Sequence, residues 1–364
     1  MWPICAARNA ISATSTDVGP AAPARAAPAH GRAREEDEHT MPPACGPRGC
    51  LQSHMSELVA LRSVPDFSGT SLGAPLDCIA ADLPQLGTAV AVTRNGAAVM
   101  TQIGSYDAPC FSGEALRPSC PPAGVAACRP TCLRLCRPMV RTTLAVDQMP
   151  ASRLPCSLQF FDAEGSALHK SFLMDYGDAF AFRDLQDSWR PAGTDAAEGD
   201  APEDAALLHD ACPNDNCARQ IDCVFGDYGL KRRAALPGWG RNWAWQVQHK
   251  PIFDLLALAS EVRMPLLVTV GNAGAVQLYR GPLESVRAAG ALTVLGAQGV
   301  TVSIEHGEIE EAWVTRIFHE GQPLLILELY DWRYHCVAMI TAPALPLPGL
   351  GTYWEQLLLS LPRC

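Results

Sequence analysis

With 364 residues, 48% hydrophobic and 18% charged, the chain has a globular balance and enough length for one large domain or two to three ordinary ones. A net charge of −10, from 38 acids against 28 bases, argues against a general nucleic-acid binder, whose affinity comes from neutralising phosphates. No apolar run approaches the roughly 18 residues of a membrane helix, so no membrane insertion is expected. Fifteen cysteines, an odd number, without a basic-then-apolar leader point to reduced thiols and not to a disulfide framework.

Residues 1–50 are rich in Ala, Pro, Arg and Glu and read as a disordered tail, because they cannot bury enough apolar surface to offset their ordering entropy. The stretch LDCIAADLPQLG has helical spacing and stops at Gly87. TAVAVTRNGAAVMTQIG (88–104) reads as two strands about an Asn95-Gly96 turn. Residues 107–131 read as a loop, and strand patterns resume at 132–146 and at 156–174, the latter turning at Asp162–Gly165. A helix is expected over 179–189, and the acidic, Pro/Gly-rich stretch 190–206 reads as a linker. KPIFDLLALASEV (250–262) predicts an amphipathic helix with Pro251 in its first turn, leading into LLVTVGNAGAVQLYRGPL, a second hairpin. The aromatic cluster GWGRNWAWQ (238–246) reads as helix core.

The two halves repeat. TRNGAAVMTQIG (93–104) overlays VGNAGAVQLYRG (270–281) without a gap, with Asn95 on Asn272 and Val99 on Val276, and further on Asp162 falls on Asp331. The expected architecture is therefore α+β: a tandem duplication of two similar halves, each an antiparallel sheet flanked by helices, the sheets stacked with a ligand cleft between halves. The expected organisation is a tail at 1–50, a first repeat at 51–189, an inter-repeat segment at 190–227 and a second repeat at 228–364.

VGNAGAVQLYRG (270–281), IEEAWVTR (309–316), LLILELYD (324–331) and, in the first half, SLQFFDAEGSAL (157–168) resemble the bacterial cytoplasmic haemin-handling proteins of the HemS, ChuS and HmuS type. The resemblance implies a cytoplasmic haem-binding protein acting after haem import. Some members are described as haem-degrading oxygenases and others as chaperones that pass haem to such an enzyme. It also implies a haem held between the halves, with a histidine on one side of the iron and an arginine on the other.

The arginine carries over: CLRLC (132–136) stands at the family's distance before LQFFD, making Arg134 the haem contact, with Ser303 as its counterpart in the repeat. The histidine does not. Ungapped counting back from VGN places Arg219, in CARQIDC (217–223), at the histidine position, and the first-half position where some members have histidine is Met100. Arginine stays protonated and offers no lone pair to iron. Three substitutes remain open: His209; a thiolate from Cys212, Cys217 or Cys223; or haem held without a protein ligand to the metal. No nucleophile elbow, zinc-protease, Walker or dinucleotide motif is present.

The expected function is haem binding for intracellular haem trafficking or haem-iron utilisation, with haem degradation weakened by the missing histidine; a haem importer or a haem-degrading enzyme would be the partner. The rival expectation is a haem-free binding or regulatory protein that keeps the duplicated fold after losing the site.

Overall fold

Alternating hydrophobic runs separated by Asn-Gly, Asp and Gly turns give this chain its strands, and the computed structural model describes residues 55–113, 130–148, 155–174, 178–190, 217–226, 230–319, 321–342 and 349–364. The expected disordered tail and nearly all of the acidic linker lie outside these residues. The first half runs α1 (Glu57–Arg62), β1 (Gly69–Ser71), α2 (Leu76–Asp82), β2 (Ala89–Arg94), β3 (Ala98–Gly104), β4 (Cys110–Phe111), β5 (Cys132–Leu135), β6 (Thr142–Val146), β7 (Ser157–Phe161), β8 (Ala167–Leu173) and α3 (Asp178–Ser188). The second begins with α4 (Cys217–Phe225), α5 (Leu230–Ala235), β9 (Ala244–Val247) and α6 (Lys250–Glu261). It continues through β10 (Pro265–Gly271), β11 (Ala275–Pro282), β12 (Ser285–Ala289), β13 (Leu292–Ala297) and β14 (Val300–Glu305). It closes with β15 (Ile309–His319), β16 (Gln322–Asp331), β17 (Cys336–Thr341) and α7 (Leu350–Leu359).

Two sheets result, with orders β1-β6-β7-β8-β2-β3-β14-β13-β12 and β4-β5-β11-β10-β17-β16-β15-β9. The six-strand block β1-β6-β7-β8-β2-β3 repeats as β9-β15-β16-β17-β10-β11, which is the duplication read from the sequence. Each block is then extended by strands of the other half: β14 joins β3, and β5 joins β11. The register is the same at both junctions, with Arg134 opposite Val276 and Ser303 opposite Val99. Sequence counting had paired Arg134 with Ser303 and Val99 with Val276, so the exchanged strands obey the repeat residue by residue. The sheets pack together through a core in which Met100, Val302 and Ile304 of one meet Val268, Val270, Val314 and Leu327 of the other. Ile252, Leu255, Leu256 and Ala259 of α6 and Trp354 and Leu358 of α7 complete it.

The junction is held by two asparagines related by the repeat. Asn95 Nδ2 donates to the carbonyls of Gly271 (2.9 Å) and Val337 (2.8 Å) in the other half, while its Oδ1 accepts from Ala97 and Ala98 N–H. Asn272 does the same in reverse: Nδ2 donates to Arg94 O (2.9 Å) and Leu168 O (2.8 Å), and Oδ1 accepts from Gly274 and Ala275 N–H. Each side chain thus closes its own hairpin turn and satisfies one backbone carbonyl of the partner hairpin and one of the strand beside it, β17 for Asn95 and β8 for Asn272. Gly274 is required by the same closeness, since a methyl group there would overlap the Leu168 side chain.

GWGRNWAWQ is not helical. Trp239 ends a 3-10 turn, Trp243 follows in a turn, and Trp245 is buried in strand β9. The four-residue spacing of Trp239 and Trp243 imitates a helical face, but Gly238 and Gly240 break the run. The turn at Asp331–His335 also departs from its first-half copy: Tyr334 (φ 65°) takes the left-handed conformation that Gly165 (φ 76°) takes there.

The first-half core encloses one polar chain. His169, fully buried, shares hydrogen bonds of 2.7 Å with Thr93 Oγ1 at Nδ1 and with Tyr106 OH at Nε2, and Tyr106 OH meets Ser171 Oγ at 2.5 Å. Burial holds the imidazole neutral, lowering its pKa from 6.5 to about 3.

Two outcomes follow. Asn272→Ala removes four side-chain hydrogen bonds, two of them crossing between halves, and should lower stability in urea unfolding by about 2–4 kcal/mol. His169 contributes its full stability above pH 6.5 and loses it as pH falls towards about 3, because the unfolded chain takes up the proton first. His169→Gln should therefore flatten the decline in the urea midpoint over that acidic window; an unchanged slope would contradict the assignment.

Candidate functional site

The outer face of the β5-β11 junction carries the residue chemistry that the sequence singled out. Leu133 and Leu135 of β5 point into the first-half core, so Arg134 points the other way, beneath α4. That helix lays Cys217, Ile221, Val224 and Phe225 on Val276, Leu278, Ile317, Ile326 and Met339. Arg134 is 1% exposed and is gripped by Asp222 of α4: Nη2 donates to Oδ2 at 2.6 Å, and Nε donates to Oδ1. The Asp222 Oδ2 also accepts from Gly113 N–H at 2.9 Å. This ion pair links a strand lent by the first half to a helix of the second.

A second buried arginine anchors the other side of α4. Arg232 of α5 donates to Gln220 Oε1 on α4 and to Glu328 Oε1 on β16 (2.5 Å). Glu328, completely buried, also accepts from Thr315 Oγ1 at 2.7 Å and Tyr330 OH at 2.6 Å. Burial alone would lower the Arg232 pKa, but the Glu328 carboxylate outweighs it and the value is raised. Isolated charges at this depth would cost several kcal/mol each, so both arginines depend on their carboxylates.

Arg219, standing where the resemblance expects an iron-binding histidine, is on the exposed side of α4, away from Arg134. Met100 is fully buried in the core between the sheets. His209 and Cys212 lie outside the described residues. Cys217 is buried and burial pushes its thiol up to about 12, so it is a protonated core residue and a poor thiolate donor in this state. Cys223 and Cys336 are likewise buried, the latter with its pKa raised by burial and by the Glu328 charge. His169, the one buried histidine among the described side chains, has both ring nitrogens engaged. Among the described residues no cluster of His, Cys, Asp or Glu is arranged to hold a metal ion.

The space beside Arg134 is a cavity of about 10 Å³ lined by Ser112, Cys136, Asp222, Phe225 and the Asn272–Val276 turn. It is room for about one water molecule. The expected cleft is therefore closed by α4 here, and a planar macrocycle reaches Arg134 only if the helix moves. Sequence reading missed Asp222, because its partner Arg134 lies 88 residues away and no local signal in CARQIDC marks the acid. No described helix is long and apolar enough to cross a membrane.

The comparisons with known proteins agree with this architecture. The chain is 26% identical over 249 residues to the hemin transport protein HmuS of Yersinia pestis, covering 65% of this chain and 69% of that protein. It is equally similar, 26% over 250 residues with the same coverage, to the hemin transport protein HemS of Yersinia enterocolitica. Among solved structures, apo-PhuS, a heme-binding protein from Pseudomonas aeruginosa, superposes with a TM-score of 0.61 at 23% identity over 81% of this chain and 87% of that one. ChuS, an E. coli heme oxygenase, gives 0.60 at 21% identity, covering 80% of this chain and 88% of that one. The model of the haemin-degrading HemS/ChuX domain matches twice, over residues 54–189 and 229–357, and the chain belongs to that family.

Proposed function

We propose that this protein binds haem as a cargo, in the cytoplasm, for haem trafficking or haem-iron utilisation, receiving it from an importer or passing it to a haem-degrading enzyme. The observation that carries this reading is the placement of Arg134. The arginine that the resemblance selects is buried on the exchanged strand, directly under the helix that bears the position of the missing histidine.

The haem-free state is then a latched one. Asp222 supplies the counter-charge that a buried guanidinium requires. Haem carries propionate carboxylates that can take over that role, so binding exchanges one carboxylate for another and releases α4 from Arg134. Cargo binding fits these residues better than turnover does. Opening the macrocycle needs an iron activated through its axial ligand, and Arg219 supplies none. His209 and Cys212 remain the candidate iron ligands from the inter-repeat segment.

A second reading is favoured by one observation, the closure around Arg134: a protein that keeps the duplicated fold without haem. Haemin titration separates the two. The account predicts a Soret shift that saturates at one haem per chain, is lost in Arg134→Ala, and changes position in His209→Ala or Cys212→Ser if that residue ligates iron. Asp222→Asn should destabilise the haem-free protein by about 3–5 kcal/mol and gain more in Tm from haemin than the unaltered chain does. Folded protein with no saturable shift would establish the haem-free reading.

A further inference from the structure

The hairpin β16-β17 turns at Asp331–His335, and its first-half copy β7-β8 turns at Asp162–Ser166. Both turns are built alike. In each, the aspartate N–H donates to the carbonyl four residues on (3.0 Å), its carbonyl accepts from the N–H three residues on, and its Oδ1 accepts from the N–H four residues on. The first copy makes this turn with Ala163, Glu164 and Gly165, and the second with Trp332, Arg333 and Tyr334. The duplication thus carries its own control: the turn itself requires neither bulk nor aromatic character.

The second copy bears costs that the first avoids. Tyr334 stands at φ 65° where Gly165 stands at 76°, a left-handed conformation unfavourable to any residue with a side chain. Trp332 is 58% exposed and Tyr334 46%, with Arg333 exposed between them. In the first half, α1 covers the turn: Leu58 N–H donates to Gly165 O (3.0 Å), and a methyl group on Gly165 would overlap Ser56. In the second half the two rings remain at the surface but are held in place. Arg233, fixed by Glu311 (Nε to Oε2 2.7 Å), lies 4.8 Å from the centre of the Tyr334 ring, and the Arg333 guanidinium lies 4.5 Å from that of Trp332. Trp, Tyr and Arg dominate the binding energy of protein interfaces, and side chains already held lose little freedom on docking.

Charge identifies the occupant. Glu310 is the extra residue of the β-bulge in β15 opposite Tyr330 and Asp331, so it lies beside this turn, and it is exposed. Neither Glu310 nor Arg333 has an ion-pair partner among the described residues. A two-fold contact sets residue i against j and j against i, so a patch with one unpaired acid and one unpaired base beside exposed rings complements itself. We infer that the Trp332–Tyr334 turn is a two-fold docking surface for a second copy of this chain. The aromatic rings pack across the axis, and Arg333 of each copy meets Glu310 of the other. The first-half turn carries charges of the opposite order, Glu164 and Arg141, but Ala163 and Gly165 give it no apolar anchor. This inference does not depend on haem binding.

The test is sedimentation velocity of the full chain over a wide range of concentration. The proposal expects a monomer–dimer equilibrium that weakens about thirtyfold in Trp332→Ala with Tyr334→Gly, which gives the second turn the small residues of the first. Arg333→Glu and Glu310→Arg should each weaken association alone, because each sets like charges together twice. An equimolar mixture of these two variants should associate again, since both contacts of the mixed dimer then join opposite charges. Glu164→Arg, the same reversal on the first turn, should leave association unchanged. A chain that stays monomeric, a dimer that survives the loss of Trp332 and Tyr334, charge variants that mixing does not rescue, or sensitivity to Glu164→Arg would each overturn the proposal. The mixing arm decides it even if the aromatic variant does not fold.

Discussion

The fold depends on the reciprocal bridge made by Asn95 and Asn272. Each side chain spends its oxygen on its own turn and its amide on carbonyls of the other half, so neither hairpin is complete without its copy. Only asparagine has the acceptor and two donors at the reach that a four-residue turn allows. With the hairpins fixed tip to tip, each hairpin's outer strand takes a later strand of the other half as its neighbour, β11 taking β5 and β3 taking β14. The exchange of β5 and β14 follows, and with it the placement of Arg134 on the second sheet.

The duplication therefore supplies one scaffold twice and lets the two faces differ. Arg134 is replaced by Ser303 at the equivalent junction, and Glu328 by Gln159, which accepts no arginine and instead donates to Ser157 at 2.9 Å. Buried charge is concentrated on the second sheet, where α4 brings Asp222 and Gln220 to meet the two arginines. The side of the molecule with buried ion pairs is the side whose state a charged ligand can alter, because the same low-dielectric setting that makes a pair strong makes a vacancy costly.

Much of this was legible in the sequence. The overlay gave the equivalences of Arg134 with Ser303 and of Val99 with Val276 that the two junctions obey, and the Asn95-Gly96 and Gly271–Gly274 turns located the hairpins. The strand exchange was not legible, because a period of two tells which face a residue occupies and not which strand lies beside it. The Arg134–Asp222 pair was hidden for a related reason: its members are 88 residues apart, and nothing local to Asp222 marks it as a partner for a strand arginine. The tryptophans at 239 and 243 imitated a helix because their spacing matched one while glycines on either side of Trp239 prevented it.

The central claim is that Asp222 holds the place of a ligand carboxylate and that haem must displace α4 to reach Arg134. Amide hydrogen exchange across residues 217–225, with and without saturating haemin, tests it directly. The account predicts that these amides are protected in the haem-free protein and lose protection when haem binds, while β10 and β11 keep theirs. Full haem loading with α4 as protected as before would contradict it.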